Sequence, residues 1–295
     1  MKVVESAAEM QAISLGLCRS GRKIAFIPTM GALHDGHLSL VRIGKREADV
    51  VVVSVFVNPI QFGPSEDFSR YPRNRDQDAG LCAREGVGIL FCPSEAGMYR
   101  PDRSVYVEED RIARTQCGAS RTGHFRGVAT VVAKLFNIVQ PALAVFGQKD
   151  AQQCRVIQQM AADLNFPVRI VIGPTAREED GLAMSSRNVY LSAGEERRQA
   201  VCLSKSLRLA KQLYDSGLRE ATALREAILD LVAMERLVRV EYVEIRDYLS
   251  WESVRTVDDQ TLVSLAVRIG QVRLIDNTLL SGGVLPQVHA HQPLP

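Results

Sequence analysis

Five short apolar runs punctuate the first 175 residues: Ile24 to Met30, Asp49 to Val57, Val87 to Cys92, Leu143 to Phe146 and Val168 to Ile172. They show almost no polar alternation, which is the pattern of central parallel strands covered on both faces. The segments Leu38 to Ala48, Asp76 to Glu85, Val128 to Val139 and Ala151 to Leu164 read as helices between them. In the third, Val128, Val131, Val132, Leu135, Phe136 and Val139 recur at spacings of three and four and make one packing face. Alternating strands and helices predict an α/β fold with a doubly wound parallel sheet, because right-handed crossovers place helices on both of its faces. Ligands in such folds lie beyond the carboxyl ends of the strands.

The texture changes after about residue 175. DGLAMSSRNVYLS is polar and loop-like, Ala193 to Ser216 and Glu220 to Glu235 read as helices separated at Gly217, and Val238 to Ile245, Thr261 to Ile269 and Val272 to Ile275 show partial strand alternation. The expected division is a first domain over 1–176, a smaller α+β domain over 177–280, and a flexible tail over 281–295. The tail's His289 and His291 stand too near the end, with no supporting ligand pattern, to be read as a metal site.

Composition narrows the class. An apolar fraction of 46% with 24% charged residues is that of an ordinary globular protein. A net charge of +2, from 36 basic and 34 acidic residues, advertises no polyanion partner, so a nucleic-acid role is not expected. The eight-residue run Val50 to Val57 falls well short of the roughly 20 residues of a membrane span. Glu5 and Glu9 interrupt the amino-terminal stretch where a cleavable signal would need an apolar segment, and cytoplasmic residence is the expectation. The six cysteines form no CxxC pair and suggest neither a disulfide framework nor a zinc site.

Three constellations carry candidate chemistry. IPTMGALHDGHLSLV leads from a strand through Gly31 into His34, Asp35, Gly36 and His37 and then a helix. Free N–H groups at such a helix start suit anionic oxygens, and two histidines three apart can donate to one phosphate chain. HDGH taken alone fits two structural or surface histidines equally well. In FVNPIQFG, which follows the valine-rich strand, Asn58 and Gln61 suit hydroxyl and carboxylate oxygens and Phe62 suits methyl groups. The same three residues also fit a turn cap and a core plug. The third constellation is split between FGQKDAQQ and DGLAMSSRN. Lys149 can place a cation on phosphate, Asp150 can accept from ribose hydroxyls, Gln153 can face the same ligand, and Ser185, Ser186 and Arg187 can hold phosphoryl oxygens. A solvated Lys149–Asp150 ion pair and a Met184 that merely packs are the bland alternatives.

Taken together, PTMGALHDGH at 28–37, FVNPIQFG at 56–63, YPR at 71–73, GHFRGVATVVAKLFNIVQP at 123–141, FGQKDAQQ at 146–153 and REEDGLAMSSRN at 177–188 closely resemble the pantoate–beta-alanine ligase family. That resemblance extends to about residue 280. It implies a Rossmann-like first domain, with ATP and Mg2+ used to join pantoate to beta-alanine through an acyl-adenylate, in a homodimer. By the same resemblance, His34 and His37 belong to the phosphate site with His37 as proton donor, and Met30, Gly31, Gly147, Gln148, Lys149, Asp150, Ala176, Met184, Ser185, Ser186 and Arg187 belong to the nucleotide. Gln61 and Gln153 are implied to bind pantoate, Gln61 also to meet beta-alanine, and Asn58 and Phe62 to shape the pantoate pocket. Asp78 matches an acidic position near the magnesium region, directly or indirectly, although its neighbour Gln77 is neutral. Two other readings stand beside this one: a nucleotidylyltransferase of the HxGH type, and a catalytically silent ATP-binding protein.

Overall fold

The five apolar runs, joined at one edge by a short strand near the amino terminus that they did not announce, form a six-stranded sheet whose ladder is parallel throughout. The computed structural model describes residues 1–64, 66–191 and 194–287. In chain order the first unit contains β1 (Lys2–Val4), α1 (Ala7–Arg19), β2 (Ile24–Thr29), α2 (Asp35–Glu47), β3 (Val50–Val55), α3 (Arg75–Arg84), β4 (Ile89–Phe91), α4 (Glu95–Met98), α5 (Gln116–Ser120), α6 (His124–Val139), β5 (Leu143–Gly147), α7 (Ala151–Asp163) and β6 (Arg169–Gly173). The strand order is β1-β4-β3-β2-β5-β6. Ile27 pairs with Val53 and Ala25 with Leu143, so β2 lies mid-sheet with neighbours on both sides. Val52, Val53, Phe26 and Ile27 are fully buried. Each buried aliphatic or aromatic side chain of this kind contributes about 1.5–3 kcal/mol.

The direction of winding reverses at β2. From there the chain moves outward through β3 to β4, then returns to place β5 on the other side of β2. The crevice at such a switch point is where doubly wound sheets take ligands. Among the described residues, no helix is long and apolar enough to cross a membrane.

The second unit comprises Gln148–Ala151 and Pro174–Pro286. It holds α8 (Glu195–Ala200), α9 (Cys202–Asp215), α10 (Ala221–Ala233), and an antiparallel sheet β7 (Val238–Asp247), β8 (Thr261–Ile269), β9 (Val272–Leu279) in that order. Leu203, Leu207, Leu224 and Ile228 pack with Val263, Leu265 and Val267 to form its core.

Several elements differ from the expectations, each for a physical reason. The single helix expected over 193–216 is two helices, with Val201 between them at ψ −13. Gln199 through Ser204 are all buried, and six consecutive residues cannot lie on one face of a straight helix. Strand β9 runs on to Leu279 instead of ending at Ile275, because Asp276 and Asn277, which break the apolar pattern, are themselves buried. Leu285, in the stretch expected to be a flexible tail, is 1% exposed, and its N–H donates to Gln148 Oε1 at 3.2 Å. Residues 288–295, with His289 and His291, lie outside the described residues.

Candidate active site

The loop between β2 and α2 is held by backbone geometry that its sequence dictates. Thr29 Oγ1 donates to Ser54 O at 2.7 Å and accepts from the Gly31 N–H at 3.1 Å, which turns the chain at the end of β2. Gly31 has φ +82, and a Cβ there would stand 2.8 Å from Val55 Cγ1 and 2.9 Å from Asp78 Oδ2, so only glycine fits. Asp78 enters from α3 and accepts the Ala32 N–H at 3.0 Å and the Leu33 N–H at 2.8 Å, one on each oxygen. It is 1% exposed, and burial pushes its carboxyl above the usual range against the pull of those two N–H groups.

That clamp delivers His34 to the N-cap of α2 in extended backbone, with His37 on its first turn. The His34 N–H donates to His37 Nδ1 over a long 3.3 Å, and the two rings lie 4.1 Å apart between centroids. In this bond His37 uses its Nδ1 lone pair, so a neutral ring carries its proton on Nε2 as a donor. The ring occupies the place that Glu or Gln takes in a capping box.

The FVNPIQFG word forms a second rigid corner, at the end of β3. Asn58, 1% exposed, donates through Nδ2 to Gln61 Oε1 at 2.9 Å and to Gly127 O at 3.1 Å, and accepts from the Tyr99 hydroxyl at 2.7 Å. Burial pushes the Tyr99 hydroxyl up, which keeps it a neutral donor. Every polar atom of the Asn58 amide is therefore engaged by protein, and the residue braces Gln61 from behind. Gln61 Nε2 reaches Met30 Sδ at 3.2 Å, joining this corner to the histidine loop. Phe62 meets Phe68 and Tyr71 of its own loop edge-on, with ring centroids 5.3 and 5.9 Å away. The YPR stretch folds back over them through Arg73, which donates to Tyr71 O at 3.1 Å and Phe68 O at 2.9 Å.

Helix α6 fastens the corner. A Cβ on Gly127 would lie 2.4 Å from Ile60 O and 2.6 Å from Gln61 Cα, so the helix touches the turn backbone to backbone. His124 Nδ1 lies 2.9 Å from Gln61 O and its Nε2 lies 2.9 Å from Arg121 Nη1, a pattern that requires Nδ1–H as donor and Nε2 as acceptor. Arg121 in turn grips Glu66 at 2.6 and 2.7 Å, and Glu66 accepts the Gly63 N–H at 3.2 Å. Burial pushes Glu66 up, but the Arg121 guanidinium outweighs it and holds the carboxyl below its ordinary value. Gly147 ends β5 and Gln153 sits half-buried on α7.

In the second unit, Gln148–Asp150 form a single 3-10 turn, and Lys149 Nζ lies 3.6 Å from Asp150 Oδ1. The pair is partly exposed, as the bland reading of that word allowed. Arg177 to Ala183 make a small antiparallel bridge closed by Gly181, and the Met184 N–H donates to Ala176 O at 2.9 Å, which places those two residues side by side. Ser185 then caps the turn Ser186–Tyr190, its Oγ accepting the Arg187 N–H at 3.2 Å. Asn188 and Arg197 both donate to Glu178 on this hairpin.

Comparison with known proteins decides the family, since the model of the family described as pantoate-beta-alanine ligase matches residues 2–279. The chain belongs to the pantoate–beta-alanine ligase family. It is 51% identical over 280 residues to the pantothenate synthetase of Thermotoga petrophila, covering 95% of this chain and all of that one. It is 50% identical over 280 residues to that of Pelotomaculum thermopropionicum, covering 95% and 99%. Among solved structures, a pantothenate synthetase from Thermus thermophilus superposes with a TM-score of 0.90 at 40% identity, covering 97% of this chain and 100% of that one. The pantoate-beta-alanine ligase from Francisella tularensis, complexed with beta-gamma ATP and beta-alanine, gives 0.79 at 35% identity, covering 96% and 99%.

Within this ligase-family frame, the sequence pattern pointed to the loop residues but not to what holds them. Tyr99, Glu66, Arg121 and His124 brace Gln61, yet they are separated from it by up to 63 residues. Helix α6 also begins at His124 and not at Val128 as the periodicity predicts, so Gly127 lies inside it, where propensity alone disfavours glycine.

Proposed function

We propose that this chain joins (R)-pantoate to beta-alanine at the expense of ATP, making pantothenate through a pantoyl-adenylate and releasing pyrophosphate and then AMP. The family match over residues 2–279 carries the reading. In the first step a pantoate carboxylate oxygen attacks the α-phosphorus, and the bond to pyrophosphate breaks. His34 and His37 stand at the start of α2, where helix N–H groups favour negative charge, and His37 Nε2–H donates to the departing pyrophosphate. Lys149, Ser185, Ser186 and Arg187 hold the phosphoryl oxygens, while Met30, Gly31, Gly147, Gln148, Asp150, Ala176 and Met184 line the nucleotide. Gln61 and Gln153 hold pantoate, and Gln61 also meets beta-alanine. Asn58 and Phe62 support that pocket.

In the second step the neutral amine of beta-alanine attacks the activated carbonyl and AMP departs with the electrons of the broken anhydride bond. No covalent enzyme intermediate is needed, because orientation and preorganised donors act on both transition states. The donors named above are N–H and hydroxyl groups that suit phosphate oxygens, and among the described residues no group of His, Cys, Asp and Glu is placed to hold a metal. When bound with ATP, Mg2+ would neutralise charge on the phosphates. Asp78 has both oxygens on backbone N–H groups and serves the site indirectly. The enzyme works as a homodimer in the cytoplasm, and light scattering that reads a monomer at assay concentration would overturn the first of these.

The test is product analysis with ATP, pantoate and beta-alanine. AMP release that requires both acids, with pantothenate formed in equal amount, is the expected result. A stable dinucleotide product would establish nucleotidyl transfer instead, and ATP binding without turnover would establish the silent reading.

A further inference from the structure

Strand β9 contains a polar pair, Asp276 and Asn277, that is 2% and 3% exposed. Buried polar groups persist where they are hydrogen-bonded, so the partners show what the pair is for. Asp276 accepts Arg177 Nη1 at 2.6 Å, Arg177 Nη2 at 3.1 Å, and the Asn277 N–H at 2.8 Å. Arg177 Nη1 also donates to Gly181 O at 3.1 Å, so Asp276 grips the hairpin that leads directly into Met184 through Arg187. Asn277 Nδ2 donates to two successive main-chain carbonyls, Gln148 O and Lys149 O, both at 2.9 Å. Those carbonyls belong to the tight turn that carries Lys149. The Leu285 N–H fixes the Gln148 side chain from another direction.

Two adjacent residues of one strand thus hold the two sequence segments that the proposed function assigns to ATP. We infer that Asp276 and Asn277 are positioning residues for adenylation: through Arg177 and through the Gln148 and Lys149 carbonyls they set where the phosphate-holding groups stand. This rests on the assignment of those segments to the nucleotide. Neither side chain needs to touch ATP. Asparagine is suited to its place because one amide nitrogen supplies two N–H groups for two carbonyls, which aspartate cannot do. The charge at 276 is suited because a planar carboxylate accepts both arms of the guanidinium.

The experiment compares N277S, N277D and D276N with L274V, an apolar core substitution on the same strand that removes no hydrogen bond to either segment, by pantoate-dependent exchange of labelled pyrophosphate into ATP beside thermal unfolding. N277S and D276N are expected to lower kcat/KM for ATP by about tenfold to a hundredfold, the scale of a misplaced catalytic group. KM for pantoate is expected to stay unchanged. L274V is expected to lose stability while keeping its ATP parameters. N277D, which turns two donors into acceptors facing carbonyls, is expected to exchange more slowly than N277S. If N277S and D276N are destabilised no more than L274V and exchange at the wild-type rate, the positioning role is wrong while the function stands. Should they lose activity only in proportion to stability, as L274V does, the pair is merely structural. Exchange that is absent in the wild type overturns the functional reading itself.

Discussion

A methyl group placed on Gly127 tests whether the contact between α6 and the Gln61 turn sets the geometry of the corner proposed to hold pantoate. Helix propensity by itself predicts that Gly127→Ala stabilises the protein by about 1 kcal/mol, because glycine is the costlier residue in a helix interior. The structure predicts the opposite sign. The new Cβ would stand 2.4 Å from Ile60 O, 2.6 Å from Gln61 Cα and 2.7 Å from Gln61 N, all of them backbone atoms that cannot rotate away. Relief requires the helix and the turn to separate, and overpacking of this kind costs about 1–3 kcal/mol. Separation also stretches the 3.1 Å bond from Asn58 Nδ2 to Gly127 O, and a buried donor left unpaired adds about 1–3 kcal/mol. The expected net loss is about 1–5 kcal/mol after the propensity gain. Because Gln61 moves with the turn, pantoate-dependent turnover is expected to fall by up to about 10²-fold, with KM for pantoate raised. Gly80→Ala in α3 is the control, since its Cβ would meet only the flexible end of Arg84 at 3.6 Å. Denaturant unfolding and steady-state kinetics on both variants supply the readout. A Gly127→Ala protein as stable and as active as Gly80→Ala would refute the reasoning.

Three further outcomes are expected. His37→Ala slows single-turnover adenylate formation by about 10²–10³, the usual loss for one preorganised donor, and leaves the unfolding midpoint nearly unchanged; formation at the wild-type rate removes His37 from the role given above. Asp78→Ala orphans the Ala32 and Leu33 N–H groups at a cost of about 1–3 kcal/mol each, and excess Mg2+ does not restore exchange; recovery with Mg2+ would return Asp78 to the metal. Glu66→Gln weakens the grip of Arg121, and its effect depends on pH with a definite sign. The folded carboxyl lies below its ordinary value of 4.5, so the ion pair stabilises fully above that pH and is lost as pH falls through the lowered folded value. Wild type is therefore the more stable at neutral pH, and the gap to Glu66→Gln closes in acid; a gap that widens on acidification contradicts the ion-pair account.

Much of this molecule was readable from the order of its residues, for reasons that differ by element. Central strands β2, β3 and β5 are buried on both faces, so their apolar runs are unambiguous. The turns bearing His34, Gln61, Lys149 and Ser185 follow strands or precede helices and carry Gly, Pro or Ser at the positions where the backbone bends. What stayed hidden is what depends on distance through space. Asp276 and Asn277 looked like the end of a strand because polarity ordinarily marks the surface, whereas here it marks two buried clamps. Tyr99 gave no sign that its hydroxyl binds Asn58, 41 residues away. The break at Val201 was invisible because helical periodicity continues on both sides of it. Leu285 stands among Gly and Pro residues that signal a loose tail, although a single leucine can be buried among them.

Exchange of labelled pyrophosphate into ATP, measured with pantoate present and beta-alanine withheld, addresses the adenylate most directly. The account predicts exchange that requires pantoate and Mg2+ and that falls as beta-alanine is added and draws the intermediate forward. An enzyme that makes pantothenate at full rate but shows no such exchange, with free pyrophosphate confirmed to enter and leave, would contradict stepwise activation of the carboxylate.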